Sequence, residues 1–155
     1  MSLNKKYRTD ETLEKEGVVV EFTENGEVFA WIKCRRPGGR NSLFHRVRAQ
    51  KERENRQALA ADEDGTLEHR LLVETYAEAV IVDWGGNIEG PNGEIPAACT
   101  KENIVWLFTE DAFDAFRELQ ARLISRTNWQ AKEEEAKNSD AVSATKSSGG
   151  SRRKS

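Results

Sequence analysis

Few side chains in this 155-residue sequence are of types that do chemistry, and their spacing keeps them apart. The two histidines are the natural general bases, but His45 sits in a run of arginines and His69 on a charged helical face. Neither has a cysteine or a carboxylate at the spacing of a metal site or a proton relay. Asp62-Glu63-Asp64-Gly65 offers carboxylate oxygens of the kind calcium takes. The alternating order of ligands and the glutamate at the twelfth loop position are missing, so the cluster reads as a solvated break between helices. Cys99 follows a loop and precedes a helix N-terminus, a setting that favours thiolate, yet no base accompanies it. Cys34 lies 65 positions away with no CxxC spacing, so two reduced thiols are expected rather than a disulfide. No glycine loop is arranged to cradle phosphate. The expectation is no catalytic, cofactor-binding or metal-binding residue: a binder, not an enzyme.

Charge is the stronger signal. The net charge of -3 hides two blocks of opposite sign. Residues 35–56 carry eight Lys/Arg against Glu52 and Glu54, a net +6, and residues 62–94 carry nine Asp/Glu against Arg70, a net −8. Adjacent blocks of this kind pair within one fold and keep it soluble, or each faces a different partner. The basic block has the cation density to neutralise phosphates, with Arg46, Arg48, Lys51, Arg53 and Arg56 as the contacts. Against that reading, helix-turn-helix, RRM and zinc-finger patterns are absent, and Phe44 alone lies within the run as a stacking aromatic.

The elements that must position these residues follow from local pattern. Residues 1–16 alternate basic and acidic side chains with no apolar face, which predicts a weakly ordered arm; they lack an apolar h-region and are not read as a secretory signal. Val18-Val19-Val20-Glu21-Phe22 and Val28-Phe29-Ala30-Trp31-Ile32 flank Asn25-Gly26, the dipeptide of a type I′ turn, so a β-hairpin is expected over 18–33. A helix capped by Asn41 or Ser42 is expected over 41–61, with few apolar contacts. From a cap at Thr66, Leu67, Leu71, Leu72, Thr75, Tyr76, Ala79, Val80 and Trp84 recur at three- and four-residue steps, predicting the central core helix over 66–84. A Gly/Pro-rich loop follows, then helices over 101–108, capped by Thr100, and 110–128, capped at Thr109-Glu110-Asp111. The last of these should bury Phe113, Phe116, Leu119, Leu123 and Ile124. No apolar run approaches the ~20 residues that span a bilayer.

The fold class is therefore α+β and mainly helical, an N-terminal β-hairpin packed on about four helices. Residues 17–130 form the single globular domain, and 131–155 lack the apolar residues to fold, which predicts a disordered polar tail. A hairpin in so small a domain has two faces and cannot bury both. Phe29 and Trp31 share a face with Lys33, opposite Val28, Ala30 and Ile32, and exposed aromatics on a small protein mark binding patches.

The acidic cluster, the stretch LLVETYAEAVIVDW and the stretch TKENIVWLF, in that order and spacing, resemble the tail assembly chaperones of long-tailed bacteriophages over roughly residues 40–130. The resemblance implies a non-catalytic protein that coats the hydrophobic, helical tape measure protein, keeps it soluble and helps recruit tail tube subunits. It implies self-association along that client, action in the host cytoplasm, absence from the finished virion and no membrane or cofactor. It also implies a frameshifted longer product whose shorter partner this chain would be. Phe29, Trp31, Phe44, Arg48 and Lys51 are the expected partner-binding residues. The alternative is a small nucleic-acid-binding accessory protein using the basic 35–56 segment.

Overall fold

Asn25 and Gly26 both have positive φ, 53° and 82°, the backbone requirement of a type I′ turn. They join strand β1 (Val18–Glu24) to strand β2 (Glu27–Cys34). In the computed structural model, which describes residues 1–131, the two pair antiparallel from Val18↔Cys34 to Glu24↔Glu27, with an irregularity between Phe22 and Thr23. Val20, Ala30, Ile32 and Cys34 are buried on one face, as a period of two requires.

The fold is α+β and mainly helical, as expected, but the sheet has a third strand. Strand β3 (Ile81–Gly86) pairs antiparallel with β2, giving the order β1-β2-β3. The helix expected over 66–84 therefore stops short. It is helix α5, Thr66–Ala79, the fifth helix of the chain, and the chain leaves it at Val80 with φ −122° and ψ −58°. Val80, Ile81 and Val82 are three β-branched residues in succession, stiff in a helix and suited to a pleated sheet. The sheet also places Trp84 opposite Ile32, and its indole Nε1 donates to the Ala97 carbonyl at 2.7 Å in the core.

The arm expected over residues 1–16 is helical in two pieces, α1 (Leu3–Tyr7) and α2 (Glu11–Glu16). Asp10 caps α2, accepting from the Thr12 and Leu13 N–H groups, and its own N–H donates to the Trp129 carbonyl at 2.7 Å. Glu14 anchors the arm. It is 1% exposed, and its Oε1 accepts from Arg36 Nη1 and the Arg40 N–H at 3.1 and 3.0 Å. Its Oε2 accepts from the Thr9 hydroxyl at 2.7 Å and Arg40 Nε at 3.1 Å.

The single helix expected over 41–61 is two, α3 (Ser42–Glu54) and α4 (Arg56–Ala60), broken at Asn55, whose side-chain amide donates to the Lys51 carbonyl at 2.8 Å. Asn41 caps α3 through the Phe44 N–H, and its amide donates to the Arg36 and Ala79 carbonyls, tying the helix start to the end of α5. Thr66 is not the cap of α5. The Asp62 carboxylate accepts from the Leu67 and Glu68 N–H groups and Asp64 from that of Thr66, so the acidic cluster satisfies the orphan donors of the first turn.

Thr100 caps α6 (Lys101–Trp106) through the Asn103 N–H. The second cap expected at Thr109-Glu110-Asp111 is absent. Residues Leu107–Asp111 form a π-helical turn continuous with α6, and the Thr109 hydroxyl donates back to the Val105 carbonyl at 2.6 Å. Helix α7 follows as Phe113–Leu123, and a 3₁₀ turn spans Arg126–Trp129. Phe116, Leu119 and Leu123 of α7 are buried, whereas Phe113 and Ile124 of the expected stripe are exposed. The core lies between the inner sheet face and the helices. Phe116 packs edge-on against Tyr76 with ring centroids 4.8 Å apart, and Phe108 lies beside it at 5.3 Å. Apart from Ala131, the tail expected over 131–155 lies outside the described residues.

Candidate functional site

Among the described residues, the helices cover one side of the sheet and leave the other bare. Because side chains alternate across a strand, Val19, Glu21, Trp31, Lys33, Asp83 and Gly85 fall on the face opposite Val20, Ile32, Cys34 and Trp84, in the cross-strand rows Val19–Lys33–Asp83 and Glu21–Trp31–Gly85. Val19 is 52% exposed, and Phe29, one residue beyond Ala30 in β2, is 44% exposed. Val28 at the turn end and Val82 in β3 are also exposed. The Trp31 ring lies on the bare backbone of Gly85, where a Cβ would fall 2.7 Å from it. Packed on that glycine, Trp31 is partly buried, with Val19 and Phe29 exposed on the same side.

The five residues expected to bind a partner do not come together. Phe29 and Trp31 lie on the uncovered side of the sheet. Phe44 is 5% exposed and belongs to the core, its ring edge-on to Tyr76 at 6.1 Å; the apolar start of α3 is drawn in because α3 packs along α5. Lys51 is held inside the fold, its Nζ 3.2 Å from Glu74 Oε1 and 2.8 Å from Glu78 Oε2. Burial alone would lower the Lys51 pKa, but hydrogen bonds to Glu78 and Glu74 raise it above the usual lysine value. Burial acts to raise the Glu78 pKa, but Lys51 and Lys101, whose Nζ lies 2.9 Å from Glu78 Oε2, outweigh it and hold the carboxyl below its usual value. Arg48 stays exposed and lies 3.7 Å from Glu52.

Much of the basic block is thus used internally. Arg36 and Arg40 bind Glu14, Arg35 Nε donates to the Lys15 carbonyl, Lys51 bridges to α5 and Arg48 meets Glu52. Arg46, Arg53 and Arg56 are exposed and make no ion pair among the described residues. Sequence reasoning missed Glu14 because its partners lie 22 and 26 residues away in the chain, a separation at which no local pattern signals a contact. Burial acts to raise the Glu14 pKa, but the Arg40 N–H, the Thr9 hydroxyl and the two guanidiniums outweigh it and hold the carboxyl at about 2.

Between α3, α4 and α5 a cleft of about 270 Å³ is floored by Leu59, Leu71 and Leu72 and rimmed by Arg48, Glu52 and Glu68. His69 at its end is committed elsewhere, stacked on Phe113 at 4.0 Å with Nε2 2.8 Å from the Phe108 carbonyl oxygen. His45 Nε2 lies 2.9 Å from the Gly39 carbonyl oxygen. The thiols are not activated. Burial pushes Cys34 far above the usual range, and burial together with the nearby Asp83 charge raises Cys99 to about 11. The thiolate-favouring setting expected for Cys99 is overridden by its surroundings. Among the described residues, no group of three His, Cys, Asp or Glu side chains is placed to hold a metal, and no helix is long and apolar enough to cross a membrane.

A family model described as "YdaY prophage protein" matches residues 40–144, more than half of the chain. No curated protein and no solved structure matches.

Proposed function

The chain belongs to the YdaY prophage protein family and is phage-related, and from that premise we propose that it is a tail assembly chaperone. In this reading it binds the tape measure protein in the host cytoplasm, keeps it soluble, helps recruit tail tube subunits and is left out of the finished virion. It works by binding and carries out no reaction. The observation that supports it is the uncovered side of the sheet, where exposed Val19 and Phe29 and the partly exposed Trp31 present apolar surface that no helix among the described residues covers. A holdase must offer such surface to a long apolar client and stay soluble while empty. With charged residues making up 33% of the chain, the rest of the surface serves the second need.

The test is co-expression of the full chain with a tape measure protein from the same phage genome. The double variant Phe29→Ser/Trp31→Ser is expected to stay folded by circular dichroism and to lose most of the co-purifying client. A folded variant that retains its client moves the surface elsewhere. The nucleic-acid reading separates by salt. Duplex DNA held by Arg46, Arg53 and Arg56 would weaken with a log–log slope of roughly −2.7, whereas apolar client binding responds far less. The gene neighbourhood is a cheaper check. A slippery heptamer near the stop codon, an overlapping frame and a long downstream tape-measure gene are expected, and a neighbourhood of another kind argues against the proposal.

A further inference from the structure

Resting on the reading that the uncovered side of the sheet holds the client, the chemistry of that side specifies what kind of segment it takes. Its apolar centre, Val19, Phe29 and Trp31, is bordered by Glu21 and Asp83 within the face and by Glu24 and Glu27 at the turn end, with Lys33 the cation among them. None of these five charged residues makes an ion pair among the described residues. Arg36, Arg40, Arg48 and Lys51 are engaged with Glu14, Glu52, Glu74 and Glu78, and among the described residues no cation reaches the acids around the sheet to form an ion pair. Four acids against one lysine give the border a net charge of −3.

The edges of the sheet are less available than its face. On β3, Asp83 Oδ1 accepts from the Trp84 N–H at 2.9 Å. On β1, Arg122 donates to the Glu21 carbonyl at 2.9 Å and sets its guanidinium over the Phe22 ring. Each outer strand therefore has a backbone group already taken by a side chain, which blunts strand addition. A helix is the element that covers a sheet face.

We infer that the outer sheet face docks an amphipathic helical segment whose apolar stripe is flanked by Lys or Arg. The stripe covers Val19, Phe29 and Trp31, and the flanking cations meet Glu21, Glu24, Glu27 and Asp83. Exposed pairs are individually weak, so the charges select among apolar helices and the apolar contact holds them. A client helix flanked by acids is rejected by the same border.

The experiment uses the full chain and three synthetic helices, roughly five turns long. They share one apolar stripe and carry Lys, Gln or Glu at the flanking positions. Fluorescence anisotropy of the labelled peptides gives each Kd at low and high salt. The Lys helix is expected to bind about tenfold more tightly than the Glu helix at low salt, with the Gln helix between them and the gap closing at high salt. The variant Glu21→Lys/Glu24→Lys/Glu27→Lys, checked for folding by circular dichroism, is expected to reverse the order. The wild-type comparison alone decides if that variant misfolds. Equal binding of all three peptides, lost in Phe29→Ser/Trp31→Ser, overturns the charge selection but keeps the face as the client site. Binding untouched by Phe29→Ser/Trp31→Ser overturns both, as does failure of every peptide to bind. Sedimentation that finds a dimer dispersed by the same double variant makes a second copy the occupant and overturns the inference.

Discussion

Replacing Glu14 with alanine should be among the most damaging single changes outside the apolar core. The substitution removes the acceptor of four hydrogen bonds, from Thr9, Arg36 and both the backbone and side chain of Arg40. Those donors stay where they are, because Arg40 also donates to the Thr9 carbonyl and Asn41 holds the Arg36 carbonyl. Removing one partner of a buried ion pair costs about 3–5 kcal/mol, and the half-exposed Arg40 side chain sets this case at the lower end. With a urea m-value of ~1.5–2 kcal/mol/M, the unfolding midpoint should fall by about 2 M. Acid provides an independent check on the same carboxylate. Its folded pKa, about 2, is depressed below the ordinary 4.5, so its contribution is complete above pH 4.5 and is lost as the pH falls towards 2. That depression corresponds to at most ~3 kcal/mol. The conservative variant Glu14→Gln lacks this titration, and the stability gap between it and the wild type should close over that window. A midpoint shift under ~0.5 M, with faster amide exchange confined to residues 3–16, would mean that Glu14 only pins the arm and would refute its role in the whole domain. A gap that stays constant on acidification would refute the electrostatic account.

Gly85→Ala places a methyl group 2.7 Å from the Trp31 ring; it should lift the indole into solvent, red-shift its emission and cost about 1–3 kcal/mol, and an unchanged spectrum would argue against the stacked geometry. Phe44→Ala should cost about 3–5 kcal/mol in a urea melt as a core truncation. Lys51→Ala should cost about 1–2 kcal/mol for a half-buried bridge, and neither change should alter client binding once folding is matched. A thiol reagent at pH 8 should label Cys99 well below the rate of a free cysteine, since its pKa is raised to about 11, and should reach Cys34 only on unfolding; prompt labelling of both in the native protein would contradict the burial described.

How much of this was legible in the sequence depended on how local each cause is. Asn25-Gly26, the alternation through β2, the Asn41 and Thr100 caps and the Phe116–Leu119–Leu123 stripe are short-range signals, and the structure has each of them. Strand β3 was masked because apolar residues at 76, 79, 80 and 84 also fit a helical step. The competing signal was the β-branched run Val80-Ile81-Val82 ahead of Gly85-Gly86, which tertiary pairing with β2 decides. The acidic cluster was seen but its use was not: Asp62 reaches the Leu67 and Glu68 N–H groups across a glycine with φ 76°, a geometry that composition does not encode. For the candidate surface, alternation placed Trp31 correctly opposite Ile32, while the weak apolar pattern of α3 did not reveal that Phe44 turns inward. Arm residues 1–16 looked unanchored because Glu14 carries its reason for burial on another part of the chain.

The sheet order also sets the sequence of events by which the chain folds. The β1–β2 pairing is local and belongs to the microsecond class of hairpin formation. The β2–β3 pairing closes over residues 35–80, and the entropy of that closure must be met before any of its contacts form. Until β3 pairs and the helices pack, the newly made hairpin carries two bare faces instead of one, and Ile32 and Cys34 lack their cross-strand neighbours Trp84 and Ile81. Docking of β3 completes the inner face by setting Trp84 and Ile81 beside Ile32 and Cys34, and packing of the helices on that face then converts a two-sided sticky ribbon into a one-sided surface; the nascent protein is most exposed to aggregation in the interval before both.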